Sequence, residues 1–186
     1  MRTPTTVALF ALLVLSSCRG TQARTDSRPA PAGQATYHNP DAELRLTYPT
    51  TWTKLEHGQQ GTRALVAFLA PAYEKGDWQH LAFDVRKLSQ DQPASIEEFK
   101  DAAIAEAKTV FPRFELISSK STTLGGKEAF RIVYTAGTER GTARIMQVLA
   151  LAGGNAYSAT YTSRRQQGFQ RSLPDVEQIL ASVQIE

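Results

Sequence analysis

Alternating apolar and polar residues predict β-strands in the first half of the chain. In two stretches every second side chain is apolar, so that the apolar ones share one face of a strand: Leu44, Leu46 and Tyr48 in the first, and Leu81, Phe83 and Val85 in the second. Residues 65–69 (LVAFL) are apolar without interruption, which is typical of a strand that is buried on both faces.

The second half of the chain has the pattern of an antiparallel meander. Strand-like segments are separated by short glycine-containing turns, and connections this short join antiparallel neighbours. The predicted strands are residues 114–118, 129–135, 143–152 and 156–162, and the predicted turns are 123–127, 137–141 and 153–155.

Two helices are predicted beside these strands. Ser95 and Glu98 have the spacing of a capping box, and Pro112 ends the helix that follows it. Its apolar positions recur with helical spacing, at Ile96, Phe99, Ala103, Ala107 and Val110.

The second helix is predicted near the end of the chain. It begins near Ser172, with Pro174 and Asp175 in its first turn. Its predicted buried face consists of Val176, Ile179, Leu180 and Val183. Two helices on a mainly antiparallel sheet predict an α+β fold in layers.

Charge is distributed unevenly along the chain. The 186 residues include 21 Lys and Arg and 18 Asp and Glu, a formal charge of +3. Four of the arginines and one aspartate precede Tyr37, and their subtraction leaves 17 residues of each sign in 37–186. The domain is therefore formally neutral, which argues against nucleic acid as a partner.

The N-terminus has the organisation of an export signal. Arg2 is followed by nine apolar residues at 7–15 (VALFALLVL). A membrane-spanning helix needs about 20 residues, so this run has the length of a signal-peptide core instead. Residues 1–17 are therefore predicted to be a signal peptide.

The residues after this apolar run resemble a bacterial lipobox. Leu15-Ser16-Ser17-Cys18 places a hydrophobic residue and two small ones before a cysteine, which is the only cysteine in the chain. The resemblance implies cleavage before Cys18, lipid attachment to its thiol and acylation of the new amino terminus. The alternative is an ordinary cleavage site with a cysteine nearby by chance. Arg19 is not the Asp that signals inner-membrane retention in some bacteria, so inner and outer membrane both stay open.

Residues 18–36 are predicted to be a lipidated cysteine and a disordered tether. The 18 residues from 19 to 36 have no aliphatic side chain larger than alanine, so they bury too little apolar surface to offset the entropy of ordering. As a flexible coil this segment spans roughly 20–25 Å. Residues 37–186 form the predicted folded domain.

The domain resembles the PsbP-like family. Residues 37–40 read YHNP, and residues 44–52 read LRLTYPTTW, which is similar to the short first strand of such domains with its Tyr-Pro-x-x-Trp ending. The hairpin at 124–129 (LGGKEA) and the closing helix at 179–183 (ILASV) match as well. The resemblance implies an α/β/α sandwich with a central antiparallel sheet. The family includes an extrinsic photosystem II subunit and bacterial envelope lipoproteins.

The sequence contains none of the common catalytic motifs that we sought. A nucleophile elbow, a phosphate-binding loop and a dinucleotide-binding glycine motif are missing. The three histidines, His38, His57 and His80, lack the spacing of a metal-binding helix. A divalent site is conceivable where His38 lies near Asp41 and Glu43, or His80 near Asp77, but we predict no catalytic residue, metal or cofactor.

Three residues are candidate contacts with a partner. Trp78 lies in a polar segment, and Arg164 and Arg165 follow the last long strand. The arginines suit phospholipid head groups or an acidic partner, and the alternative is an ordinary solvated loop. Trp52 has two interpretations, a ring that covers the edge of the core or a ligand-stacking residue.

Two functions remain open from the sequence. The first is a non-catalytic binding or assembly module, lipid-anchored on the extracytoplasmic face of a bacterial membrane, with an unidentified envelope protein or ligand as partner. The alternative is an envelope enzyme, or a carrier of a small ligand or metal, whose site is assembled from scattered residues.

Overall fold

The computed structural model describes residues 30, 32–59, 64–71, 79–89, 95–138 and 141–186. The signal peptide, Cys18 and most of the tether lie outside the described residues, as does Trp78. The described elements are, in order, β1 (Gln34–Asn39), β2 (Leu44–Pro49), β3 (Thr53–Glu56), β4 (Val66–Leu69), β5 (Gln79–Lys87), α1 (Ile96–Val110), β6 (Glu115–Leu124), β7 (Lys127–Thr138), β8 (Gly141–Ala152), β9 (Asn155–Ser163), α2 (Gln166–Ala181) and β10 (Gln184–Ile185).

The strands form two antiparallel sheets. The larger has seven strands in the order β3-β4-β5-β9-β8-β7-β6, and the smaller has three in the order β1-β2-β10. The predicted meander is confirmed, because β6, β7, β8 and β9 pair with their neighbours in sequence. Sheet and helices together confirm the α+β fold with α/β/α layers.

The larger hydrophobic core lies between the seven-stranded sheet and α2. It contains Tyr157 and Tyr161 of β9, which are almost fully buried, and Phe68 of the doubly buried strand β4. Helix α2 contributes Phe169, Val176, Ile179 and Leu180 to the same cluster, and the small sheet contributes Leu44, Leu46 and Ile185. The small sheet and α2 therefore cover one face of the large sheet together.

A second core lies on the opposite face, beneath α1. Ile96 and Phe99 of the helix pack on Ile132 and Tyr134 of β7 and on Ile145 of β8. The amide of Glu98 donates a 3.1 Å hydrogen bond to the Ser95 hydroxyl, which confirms Ser95 as the N-cap. The capping residue therefore starts the helix where its apolar face meets the sheet.

The Gly125–Gly126 turn connects β6 to β7 and also receives the C-terminus. Both glycines have positive φ, 58° and 75°, as the predicted hairpin requires. A Cβ atom at Gly125 would lie 2.8 Å from a side-chain carbon of Ile185. Glycine is therefore needed here for close packing as well as for its backbone conformation.

The folded domain begins earlier than residue 37, where the sequence placed its start. Strand β1 starts at Gln34 and pairs with β2 along its whole length, from Gln34 opposite Pro49 to Asn39 opposite Leu44. Thr50 donates through its amide (3.0 Å) and its hydroxyl (3.2 Å) to the Gly33 carbonyl. Residues 34–36 thus belong to a strand and not to the tether, because main-chain pairing holds them without any large apolar side chain.

Helix α2 also begins earlier than predicted, at Gln166 instead of near Ser172. Pro174 lies in the helix interior and has no N–H to donate to the carbonyl of Gln170, which is an exposed residue. The buried Ser172 hydroxyl donates a 3.0 Å hydrogen bond to the Gln79 side chain and caps nothing. Ser172 therefore lies inside the helix, bonded to β5, and not at the helix start.

One member of the predicted apolar face of α1 is exposed. Val110 is 60% exposed, whereas Ile96, Phe99 and Ala107 are buried. The rings of Phe111 and Phe114, in the connection to β6, cover Tyr134 instead, at centroid distances of 6.3 and 5.0 Å. Among the described residues, neither helix has the length and apolar character that a membrane span requires.

Replacement of Phe99 tests the packing of α1. We expect Phe99→Ala to lower the free energy of unfolding by about 3–5 kcal/mol, because truncation leaves a cavity against β7 and β8. Val110→Ala on the same helix is the matched control, with an expected change within about 0.5 kcal/mol because the side chain is exposed. Urea titration of both variants measures the difference, and equal losses would show that the buried face is assigned wrongly.

Candidate interaction surfaces

The turn that contains Arg164 and Arg165 connects the end of β9 to the start of α2. Ser163, which is fully buried, donates to the Arg165 carbonyl at 2.9 Å and accepts from the Arg165 amide at 3.4 Å. The Arg165 side chain is exposed, and that of Arg164 is partly buried. A buried serine therefore holds the turn, and the two arginines extend from it at the surface.

A third arginine, which the sequence analysis missed, lies beside this turn. Arg144 of β8 pairs with Ser163, donates to the Gln166 side chain and stacks over the Phe169 ring at 5.3 Å from its centroid. Arg144 lies nine residues before Gly153 and Ser163 lies nine residues after Gly154. Counting outward from this turn could therefore have predicted that the two residues pair.

Strand β5 begins directly after Trp78 in the chain. Trp78 itself lies outside the described residues, but Gln79, the next residue, pairs with Ser163. The chain therefore enters β5 beside the Arg164–Arg165 turn.

A cleft of about 330 Å³ brings two of the three histidines together. It is lined by Tyr37, His38, Asn39, Pro40, Asp41, Glu56, His57 and Leu65. His38 lies 3.8 Å from the Glu186 carboxylate, and Arg45 lies 3.7 Å from the same oxygen. The side chains of Asp41, Glu56 and His57 are exposed, so the cleft is open to water.

The conceivable metal ligands do not come together as the sequence spacing suggested. Glu43 is not part of the cleft. Its carboxylate lies beside Gly153, where a Cβ atom would be 3.3 Å from the carboxylate oxygen. Asp77 lies outside the described residues. Within the described ranges no three His, Asp or Glu side chains are grouped as metal ligands would be.

His80 lies far along the sheet from the other two histidines. It is on β5, opposite Leu69 of β4 and Thr162 of β9. Burial lowers the pKa of His80 from 6.5 to about 4. The imidazole is therefore neutral at physiological pH.

Trp52 belongs to the core. Its ring is 3% exposed, and the indole N–H donates a 3.1 Å hydrogen bond to the Asp175 carboxylate. The structure confirms the interpretation of Trp52 as a core residue, because a ring this deeply buried presents no face to a ligand.

Solved structures with this architecture include the cyanobacterial PsbP (CyanoP) of Synechocystis. The similarity covers 92% of this chain and 99% of that chain, with a TM-score of 0.60 and 13% sequence identity. The chain has a PsbP-like fold. The structural resemblance thus confirms what the YHNP and LRLTYPTTW segments implied about the architecture.

Two other similar structures belong to proteins with different descriptions. LpqN of Mycobacterium tuberculosis, described as involved in cell envelope biogenesis, has a TM-score of 0.61 and 15% identity over 81% of this chain and 89% of that chain. The yeast Ran-binding protein Mog1p has a TM-score of 0.52 and 6% identity over 82% and 95%. No known family model and no curated protein sequence matches the chain. At these identities the similarity concerns the fold alone.

The stability of the domain should depend on pH through His80. Because the pKa of His80 is lower in the folded state, the unfolded chain takes up this proton first, and stability falls as pH decreases from about 6.5 to about 4. The expected loss is up to roughly 3 kcal/mol. Urea titrations across this range should show that His80→Asn removes most of the slope.

A second titratable group on β5 makes the variant comparison necessary. Burial raises the pKa of Asp84, so that this carboxyl contributes a slope of opposite sign at the acidic end of the range. Asp84 is unchanged in His80→Asn, so the difference between the two curves reports His80 alone. If the stability of the parent and of His80→Asn depended on pH in the same way, the lowered pKa of His80 would be contradicted.

Proposed function

We propose that the protein is a non-catalytic binding or assembly module, anchored by lipid to the extracytoplasmic face of a bacterial membrane. The observation that carries this proposal is Leu15-Ser16-Ser17-Cys18, directly after the nine-residue apolar run and with the only cysteine at the lipidated position. Two or more acyl chains on one terminus give stable anchoring where a single chain gives marginal binding.

Domain geometry supports action close to the membrane. Strand β1 starts at Gln34, so residues 19–33 alone separate the cysteine from the folded domain. A flexible coil of this length spans roughly 20 Å. A short flexible connection gives an effective concentration in the millimolar range, which allows a weak interface to bind a membrane partner.

The structural similarities support the envelope as the site of action. LpqN, which has the same fold, is described as involved in cell envelope biogenesis, and the similarity to Mog1p, a Ran-binding protein, supports only a binding role. We propose Trp78 as a contact for an envelope protein or ligand, and Arg164 and Arg165 as contacts for an acidic surface. The exposed turn after β9 supports the assignment of the two arginines.

The alternative, a carrier of a small ligand, is favoured by the cleft at His38 and His57. Its volume suits a small molecule, but its lining is mostly polar and open to water, whereas small-molecule sites are mostly apolar and enclosed. The binding-module proposal therefore accounts for more of the observations.

Substitution of the cysteine tests the anchor. We expect Cys18→Ala to abolish incorporation of labelled palmitate and to move the protein from the membrane to the soluble fraction. Ser17→Ala is the matched control, because it keeps a small residue before the cysteine and should leave both results unchanged. Full membrane association of Cys18→Ala with normal processing would refute lipid anchoring.

Capture from the native envelope tests binding. The anchored protein, cross-linked and purified from solubilised membranes, should retain an envelope protein or ligand, and Trp78→Ala should reduce its recovery at least several-fold. His38→Ala, in the cleft, is the control that separates the two functions. Loss of the partner in His38→Ala with no effect of Trp78→Ala would favour the carrier, and substrate turnover by the purified protein would refute the non-catalytic proposal.

A further inference from the structure

The charges of the neutral domain are separated along the direction of the strands. One end of the large sheet, here called the basic end, is where β9 leads into α2. Ser163 pairs there with Arg144, and Arg144 pairs with Thr135, which in turn lies opposite Glu115. The cations at this end come from four parts of the chain: Lys108, Arg113, Arg144, Arg164, Arg165 and Arg171.

Acidic residues at the basic end are fewer. The described ones are Glu106, Glu115 and Asp175, which lies one turn after Arg171 on α2 and accepts a hydrogen bond from the Trp52 indole. The adjoining segments 72–78 and 139–140, outside the described residues, contain two basic and three acidic residues, so they remove about one charge from the excess. The basic end therefore keeps an excess of positive charge.

The other end of the sheet, here called the acidic end, carries the turn between β1 and β2. The Tyr157 hydroxyl donates to the Ala42 carbonyl at 3.2 Å, and the Glu186 amide donates to the Glu43 carbonyl at 3.1 Å. The Leu88 amide bonds to the Gly154 carbonyl, so β5 also ends here and leads towards the start of α1. The acidic residues at this end are Asp41, Glu43, Glu97, Glu98, Glu128 and Glu186, and the cations are Arg45, Arg86, Lys87 and Lys127.

The first strand of the domain starts on the side of the basic end. Strand β1 runs towards the acidic end, because Asn39 leads directly into the turn with Ala42. Its first residue, Gln34, therefore lies on the opposite side. Helix α2 confirms this direction, since its last turn contacts Thr47 of β2 and an earlier turn contacts Trp52, further towards the basic end.

We infer that the basic end binds the anionic headgroups of the membrane to which the N-terminus attaches, with the acidic end and the His38–His57 cleft facing away from it. The inference rests on the proposed lipid anchor, which holds the domain near the bilayer. Strand β1, through which the N-terminal segment joins the domain, starts on the basic side. Charge complementarity therefore gives the anchored domain one preferred orientation.

The size of the effect follows from the electrostatics of membrane surfaces. Each Lys or Arg near an anionic surface strengthens binding about fivefold, and the attraction fades within a Debye length of about 8–10 Å. Cations at the acidic end are beyond this range when the basic end touches the bilayer, because a nine-residue strand such as β9 is roughly 30 Å long. Position, and not total charge, therefore decides which cations contribute.

Vesicle binding tests the inference independently of lipidation. The probe is the chain from residue 18 with Cys18→Ser, which keeps every described residue and whose folding is checked by circular dichroism. We expect sedimentation with mixed phosphatidylglycerol–phosphatidylcholine vesicles, weakened by salt, and little binding to pure phosphatidylcholine. Arg164→Gln/Arg165→Gln should weaken binding roughly 10- to 25-fold.

The matched control removes two cations from the acidic end. Lys87→Gln/Lys127→Gln changes the net charge equally, and both side chains are exposed, so binding should stay within about twofold of the parent. Equal weakening by both double variants, or none by either, would overturn the inference. Unchanged vesicle binding by Arg164→Gln/Arg165→Gln with loss of a protein captured from the envelope would also overturn it, and would assign the arginines to a protein partner.

A dye on each end of the domain reports its orientation. In the Cys18→Ser background, a fluorophore on Thr142→Cys, exposed at the basic end, should be quenched by headgroup spin-labelled lipid. The same dye on Lys127→Cys, which is exposed at the acidic end, should not be quenched. Equal quenching of the two would contradict a preferred orientation. Because this protein carries no lipid, failure of lipid anchoring in cells would not alter these results.

Discussion

The structure depends on a strand that is apolar on both faces. In β8, Met146, Val148 and Ala150 point to one side of the sheet, and Ile145 and Leu149 point to the other, all almost fully buried. Exposing either face of the sheet centre to water would be costly, because each buried aliphatic side chain contributes roughly 1.5–3 kcal/mol to stability. A helix must therefore lie on each side, and this requirement produces the three layers.

Buried polar groups determine how the covering elements are positioned on that sheet. The Tyr161 hydroxyl donates to the carbonyls of Gly168 and Phe169, and the Tyr157 hydroxyl donates to that of Ala42. An unpaired buried hydroxyl is costly, so each bond holds its partner in place. One tyrosine secures the start of α2 at the basic end, and the other secures the turn of the small sheet at the acidic end.

Function is proposed to follow from this placement more than from any single residue. The domain is formally neutral, but an excess of cations lies at the end of the sheet on whose side β1 starts. The same fold occurs in CyanoP, LpqN and Mog1p, whose descriptions differ, so the scaffold itself does not specify an activity. In this protein the specific information is the distribution of charge on the scaffold and the predicted lipid at its N-terminus.

The sequence by itself determined the elements whose signals are local. Strand alternation, the glycine turn at Gly125–Gly126 and the Ser95 cap each depend on neighbouring residues, and all three are present in the structure. The first residues of β1 and of α2 had no such signal. Pairing with β2 defines the start of β1, and burial of Phe169 in the core defines the start of α2, so both depend on residues that are distant in sequence. The meeting of Arg144 with the Arg164–Arg165 turn likewise required the register of two paired strands. Only the tertiary structure decided the separation of charge, since it depends on which ends of distant elements lie side by side.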